Sequence, residues 1–379
     1  MGIFDIFKKQ KQIPVVEIKK EETTIVKSNK RKTIPNDIKE LLKQGNEEEV
    51  KKRMAKCQVN AYDTFTKNTI LSYPSLSDDL VRYFVLEQGY DINYVDRWEK
   101  TPLHYQATME HSNLLLFVEL GANPHALDYE GCGPLHYAAM YQQLQHIKEL
   151  IALGADVNLK GKTFHNTPLE EVLSRMCLYN SEQAIACFHY FLDHGACMTQ
   201  AMKDIVKRNG EDFEFHVDET NEFYVEMKQT LSKLYEIFDV EPVAPRVLHD
   251  GIADIKVSST KWQSQYQELW QLLVPSSGHA STIQGEVIRI SGKVSYEILD
   301  NGASNWDKNY KMMIQSMPSY LAQGTPLKEE EEEELTVLLK MIEKKQGEES
   351  QFRRFSELMV KWVLSNPKPL PLENTNYKR

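Results

Sequence analysis

Two short sequence markers recur in register along the middle of this chain at intervals of about 33 residues, and a recurrence of that length limits the possible folds more than any other feature. Thr101-Pro102-Leu103-His104 returns as Gly133-Pro134-Leu135-His136 and again as Thr167-Pro168-Leu169-Glu170. A second marker keeps the same phase: Gly121-Ala122-Asn123, Gly154-Ala155-Asp156-Val157-Asn158 and Gly195-Ala196, with an earlier copy at Gly89-Tyr90-Asp91-Ile92-Asn93. Two markers in phase define a supersecondary unit that is copied and stacked.

Physical chemistry assigns each marker a place. Proline fits the first turn of a helix, where no amide donor is lost, and the threonine before it can cap that helix. Glycine fits the left-handed position after a second helix. Leu103 and Ala107 of the first helix then face Leu114, Leu115 and Val118 of the second. One such pair cannot bury its apolar side alone, so neighbours must stack. This pattern resembles the ankyrin repeat over roughly residues 38–200. The resemblance implies that His104 and His136 bond between neighbouring loops rather than serve a metal or a reaction.

Several copies depart from the pattern. Glu99 stands where the family has a loop glycine, and Gly133 replaces the capping threonine. The copy from Thr167 to Gly195 is longer than its predecessors, with the excess around Cys177–Glu182. Asn68-Thr69-Ile70-Leu71 stands at the place of the TPLH motif in an earlier copy, and Asp37–Cys57 resembles a still more degenerate helix pair. Residues 199–240 close the stack as a cap, with Phe223–Phe238 as its last long helix.

The expected fold is all-α: a basic disordered tail over 1–34, a repeat solenoid over 35–241, a Pro-containing linker over 242–254 and a helical domain over 255–379. The tail carries nine Lys or Arg against four Asp or Glu. The net charge of −10 argues against general nucleic-acid binding. Five cysteines without a CxxC spacing suggest reduced thiols and a cytoplasmic setting, with no zinc site and no cofactor. No apolar run is long enough for an integral membrane segment. Residues 1–9 hold Ile3, Phe4, Ile6 and Phe7 beside Lys8 and Lys9, which suits a weak peripheral membrane contact, although a frayed terminus is the plainer reading.

In the C-terminal region, Trp262, Tyr266, Leu269, Trp270 and Leu273 follow helical spacing up to Pro275. A second helix follows, with Val287, Ile290, Val294 and Ile298 as its buried stripe. Gly285 and Gly292 on one side allow close approach of another helix. Ser277, His279 and Glu286 include residue types found in hydrolases, but no GxSxG elbow surrounds either nearby serine, and Glu286 with Arg289 reads as a structural pair. Thr325 and Pro326 start a helix whose Glu329–Glu334 run suits its positive end. Phe352, Phe355, Leu358, Met359 and Trp362 mark the last helix, and Pro367–Pro371 belongs to an extended tail.

Repeats of this kind bind proteins through their hairpin tips and the concave face of their first helices. Carried over by position, this implicates Arg97, Trp98, Lys100, Tyr105, Thr108 and Met109 in one copy. In the next it implicates Tyr129, Glu130, Cys132, Tyr137, Met140 and Tyr141. Aromatic residues, Met and Arg at such density are what interface cores favour. The chain is therefore expected to bind another protein and not to be an enzyme. Its short loops, acidic balance and helical appendage resemble bacterial ankyrin proteins, including immunity proteins that neutralise a toxin. The rival readings are catalysis by the C-terminal domain and a secreted, host-directed effector scaffold.

Overall fold

The computed structural model describes residues 30–163, 166–217 and 220–378, so the membrane-contact reading of residues 1–9 lies outside the described residues. The chain divides into two compact units, residues 1–168 and 169–379.

The first unit opens with strand β1 (Arg31–Thr33), helices α1 (Ile38–Lys43) and α2 (Glu47–Met54), and strand β2 (Cys57–Tyr62). The strands pair in parallel, Arg31 opposite Cys57 and Thr33 opposite Tyr62 across an irregular register. Arg31–Thr33, within the stretch expected to be a disordered tail, form a strand; the rest of that expectation, residues 1–29, lies outside the described residues. The helix pair expected over Asp37–Cys57 is present, with Ile38, Leu42, Val50 and Met54 buried. A 3-10 turn over Ile70–Ser72 and helix α3 (Asp78–Arg82), prolonged by a π-helical turn to Glu87, form the next pair.

Two regular pairs follow: α4 (Pro102–Gln106) with α5 (Leu114–Glu119), and α6 (Pro134–Met140) with α7 (Leu144–Ala152). First helices lie upon first helices and second upon second: α4 packs on the Ile70–Ser72 turn and on α6, and α5 packs on α7. Leu103, Ala107, Leu135, Ala138, Ile147 and Leu150 fill the shared interior. The stripe of α5 differs from its sequence reading. Leu114, Leu116 and Phe117 are buried while Leu115 faces solvent. Asn113 caps the helix, its Oδ1 accepting from the Leu116 amide at 3.1 Å. This start sets Leu114 and Phe117 three apart on one face and turns Leu115 away. The glycines at 89, 121 and 154 all take positive φ, as the second marker requires.

The second unit contains α8 (Pro168–Arg175), α9 (Glu182–Asp193), α10 (Gln200–His216), α11 (Tyr224–Phe238), α12 (Trp262–Leu273), α13 (Ile283–Leu299), α14 (Lys308–Leu321), α15 (Glu329–Glu343) and α16 (Glu349–Ser365). The excess residues of the long copy form the connection between α8 and α9, and residues 240–250 are irregular. Arg246 anchors that stretch. Its guanidinium sits 4.0 Å from the Phe215 ring centre and donates to the carbonyls of Gln271 at 2.8 Å and Trp270 at 3.2 Å at the end of α12.

Helix α13 is the axis of the C-terminal part, buried from Ile283 through Ser291 and again at Val294, with Ile298 only half-buried. A Cβ on Gly292 would meet the Trp270 ring at 2.3 Å, and one on Gly285 would meet the Leu273 carbonyl oxygen at 2.8 Å. These two glycines are where α12 crosses close. Helix α15 begins at Glu329, with Lys328 at its N-cap position and no side-chain cap. The start expected at Thr325-Pro326 is displaced because the Thr325 amide donates to Asn366 Oδ1 at 2.6 Å. Glu331 and Glu334 pair with Lys361 and Arg354 of α16, so only part of the acidic run is solvated.

The C-terminal tail is extended and strapped down. Buried Gln284 donates to the carbonyls of Asn366 and Lys368 at 2.9 and 2.8 Å and accepts from the Leu370 amide at 3.0 Å. Beyond it, the Tyr377 hydroxyl donates to Glu286 Oε1 at 2.7 Å. Arg289 Nε donates to Glu286 Oε2 at 2.8 Å, and the Ala280 amide donates to the same oxygen at 3.0 Å. Burial alone would raise the Glu286 carboxyl, but Arg289, Tyr377 and the Ala280 amide together hold it below the ordinary carboxylate range.

Removing one partner of this buried pair leaves a charge without compensation. Arg289→Met is expected to lower the unfolding free energy of the second unit by about 3–5 kcal/mol, and Tyr377→Phe by about 1–3 kcal/mol. Urea titration followed by tryptophan fluorescence checks both, because Trp262, Trp270, Trp306 and Trp362 all lie in this unit. An unchanged midpoint for Arg289→Met would contradict the pairing.

Candidate protein-binding surface

Each repeat carries a hairpin loop closed by the same device. The Asp63 amide donates to the Asn68 carbonyl at 2.9 Å, Asp96 to Lys100 at 3.0 Å and Asp128 to Cys132 at 3.0 Å. The residue before each closing position has left-handed φ: Lys67 at 69°, Glu99 at 62° and Gly131 at 75°. Glu99 therefore occupies the family's glycine position in the glycine conformation. This alignment also places Thr69-Ile70-Leu71-Ser72 opposite Thr101-Pro102-Leu103-His104, one residue later than the sequence reading.

The aspartates organise the loops from inside. Asp96 Oδ1 accepts from the amides of Trp98 at 2.8 Å and Lys100 at 2.9 Å, while its Oδ2 accepts the Tyr105 hydroxyl at 2.5 Å. Asp128 repeats the scheme, accepting from the Cys132 amide at 2.9 Å and the Tyr137 hydroxyl at 2.5 Å. Burial and the bonded carboxylate raise both tyrosine hydroxyls above their ordinary range. Tyr105 and Tyr137 are thus fixed by their own loops and present only their rings.

Successive loops join edge to edge. The Arg97 amide donates to the Thr66 carbonyl at 3.2 Å, Tyr129 to Trp98 at 2.9 Å and Lys162 to Glu130 at 2.6 Å. The tips form one continuous ladder rather than separate fingers. Beneath it, the buried imidazoles tie repeat to repeat. The Thr101 amide donates to His104 Nδ1 at 3.1 Å, so that nitrogen carries no proton and Nε2–H donates to the Cys132 carbonyl at 3.2 Å. His136 accepts from the Gly133 amide at 3.2 Å and donates to the Leu159 carbonyl at 3.0 Å. Gly133 has no side chain to cap with, yet its helix is closed in the same way, so the histidine closes the helix. The resemblance-based expectation of loop-to-loop histidines agrees with this geometry.

The expected binding residues separate into groups. Arg97, Trp98 (37% exposed), Tyr129 (64%) and Tyr141 (58%) reach solvent. Lys100, Tyr105, Thr108, Met109, Glu130, Cys132, Tyr137 and Met140 are half-buried. Thr108 donates its hydroxyl to the Tyr105 carbonyl at 2.7 Å, and Glu130 accepts the hydroxyl of Thr163. Phe65 (69% exposed) belongs to the same surface and was missed. Its ring packs edge-on against Trp98 at 6.4 Å. A shift of one repeat length back from Arg97 and Trp98 would have found it. Val95 and Leu127, 32 residues apart, add a second exposed apolar phase.

The family model for ankyrin repeats, in three copies, matches residues 71–161. No curated protein matches the chain.

Replacing Glu99 by Gly relieves left-handed backbone at the tip and is expected to stabilise the first unit by about 0.5–1 kcal/mol; thermal melting followed by circular dichroism tests it, and a lower midpoint contradicts it. His104→Asn is expected to keep the helix cap but leave the Cys132 carbonyl without its donor, at about 1–3 kcal/mol. Burial holds His104 below its ordinary imidazole value of 6.5. Below that pH the unfolded chain takes up a proton that the folded repeat refuses, so stability is full above it and falls as pH drops towards the depressed folded value. Hydrogen exchange across residues 101–140 should show this acid loss in the native chain and a smaller one in His104→Asn.

Proposed function

Because residues 71–161 are ankyrin repeats, we propose that this chain is a protein-binding module whose contact surface is the hairpin ladder together with the adjoining first-helix face. The observation that carries the reading is the exposure of Phe65, Trp98 and Tyr129 on hairpins joined by inter-loop hydrogen bonds, with Tyr141 exposed at the end of the first helix α6. Rigid aromatic anchors lose little conformational freedom on binding and dominate interface energetics.

Within that class the finer reading is neutralisation of a toxin by covering its working surface, as immunity proteins do, in the cytoplasm of the cell that makes both. The acidic chain and the aromatic surface support it. Sequencing the genes beside its own and co-expressing the chain with any growth-inhibiting product they encode tests it: growth restored by the native chain and lost with Trp98→Ala/Tyr129→Ala supports neutralisation, and equal rescue by both excludes this surface.

The chain is proposed to be non-catalytic. His279 Nδ1 lies 3.4 Å from Glu286 Oε1, a contact that revives the question of chemistry. Both Glu286 oxygens are, however, already bound by Arg289, Tyr377 and the Ala280 amide, and a carboxylate held below its ordinary range is a poor base. His279 Nε2 meets Thr375 Oγ1 at 3.0 Å, so the cluster secures the tail.

The module reading predicts that Trp98→Ala/Tyr129→Ala weakens binding of the captured partner by at least about 2 kcal/mol with melting unchanged, as measured by isothermal titration calorimetry. Undiminished affinity would remove the ladder as the contact surface.

A further inference from the structure

Three cations of the ladder sit against rings and outside the ion pairs: Lys67, whose Nζ lies 4.4 Å from the Tyr62 ring centre, Arg97 and Lys100. The Arg97 guanidinium carbon lies 5.6 Å from the Phe65 ring centre and 5.7 Å from that of Trp98. Lys100 Nζ lies 4.8 Å from the Tyr137 ring centre, 5.7 Å from Trp98 and 6.0 Å from Tyr105. Among the described residues of this unit, the ion pairs join Lys51, Lys52 and Arg53 to Asp37, Glu48 and Glu49, and Arg82 to Glu119. Neither Arg97 nor Lys100 takes part in them. The aspartates of the two loops, Asp96 and Asp128, are buried and aim their oxygens at their own loop amides and tyrosines. The chain as a whole is acidic, yet on this surface Arg97 and Lys100 form no ion pair among the described residues and rest against rings.

We propose that the ladder receives an extended acidic segment of a partner protein, its carboxylates on Arg97 and Lys100 and an aromatic or large apolar side chain against Phe65 and Trp98. The proposal rests on the protein-binding reading above and narrows the partner by charge. Rings flanking each cation hold the long side chains in place before binding, which reduces the rotamer freedom lost on contact. Arg97 offers a planar fork that matches a carboxylate with two parallel hydrogen bonds. The net charge of −10 repels an acidic partner elsewhere on the chain, so these cations set where and in which orientation it docks. Glu99 and Glu130 stand on the same tips, so the acidic segment meets the ladder at Arg97 and Lys100 rather than along its whole length; a nucleic-acid strand, which also combines anions with stacking groups, is separated from it by the oligo(dT) arm of the test.

Fluorescence anisotropy with the full chain tests this, using labelled peptides that share a central tryptophan and differ only in flanking Glu, Gln or Lys, together with oligo(dT). The Glu peptide should bind at least about tenfold more tightly than its Gln counterpart. Arg97→Glu/Lys100→Glu should lose at least about tenfold in affinity for the Glu peptide and gain for the Lys peptide, with the melting temperature unchanged. A Lys peptide or oligo(dT) binding the native chain as well as the Glu peptide overturns the proposal. So does Glu-peptide affinity that the double variant leaves unaltered, or the absence of Glu-peptide binding up to about 1 mM. If Trp98→Ala/Tyr129→Ala still abolishes capture of the cellular partner while the Glu peptide fails to bind, the charge assignment falls and the protein-binding reading stands.

Discussion

Helices as short as α4 and α5, five and six residues long, cannot hold their shape in water, because isolated helices below about 12–15 residues are marginal. They exist here because each pair lies on the next and pools its apolar face with its neighbour's. Leu103, Ala107, Leu135 and Ala138 have almost no exposure, and that shared interior is the condition for everything else in the first unit. Polar ties then fix the register of the stack. His104 and His136 link first helices to the following loop, Gln106 donates back to the carbonyls of Leu71 and Tyr73 at 2.7 and 3.0 Å, and His146 lies against the carbonyls of Ala107 and Ser112 at 3.1 and 3.0 Å. The contact surface proposed for binding is the outer edge of the same arrangement.

Much of this was legible because the markers report backbone requirements. Proline at a first helical turn and glycine after a second helix name a conformation, and their spacing names the repeat. The paired glycines of α13 announced the close crossing of α12 for the same reason. What the sequence concealed were reciprocal contacts. The histidine cap was misread as a threonine cap because both residue types can close a helix, and only the Gly133 copy shows which of them does so. The Asp96–Tyr105 and Asp128–Tyr137 pairs share a separation of nine residues, a signal present in the letters but without meaning until the loop brings its arms together. Phe65 escaped because its repeat lacks proline and histidine at the marker positions. The strap formed by Gln284 and Tyr377 joins residues more than eighty positions apart, beyond what local periodicity reports.

The two units solve different problems with the same chemistry. In the first, buried polar groups are placed once per repeat and hold successive loops in line, leaving aromatic rings and ring-bound cations on the rim. In the second, Glu286, Arg289, His279 and Tyr377 form one hydrogen-bonded cluster that fastens the C-terminal tail to α13. A buried charge pair of this kind contributes little net stability but is costly to break, since either partner alone would be stranded. Both Glu286 oxygens are engaged within it, which accounts for residue types associated with catalysis appearing together around a carboxylate with a structural task.

The central claim is that a partner lies along the ladder of hairpin tips. Hydrogen exchange of the full chain with and without its captured partner tests it most directly. The account predicts slowed exchange at residues 63–68, 96–100 and 128–132 and little change over 283–299. Protection confined to residues 255–378, with the three loops exchanging as in the free chain, would contradict it.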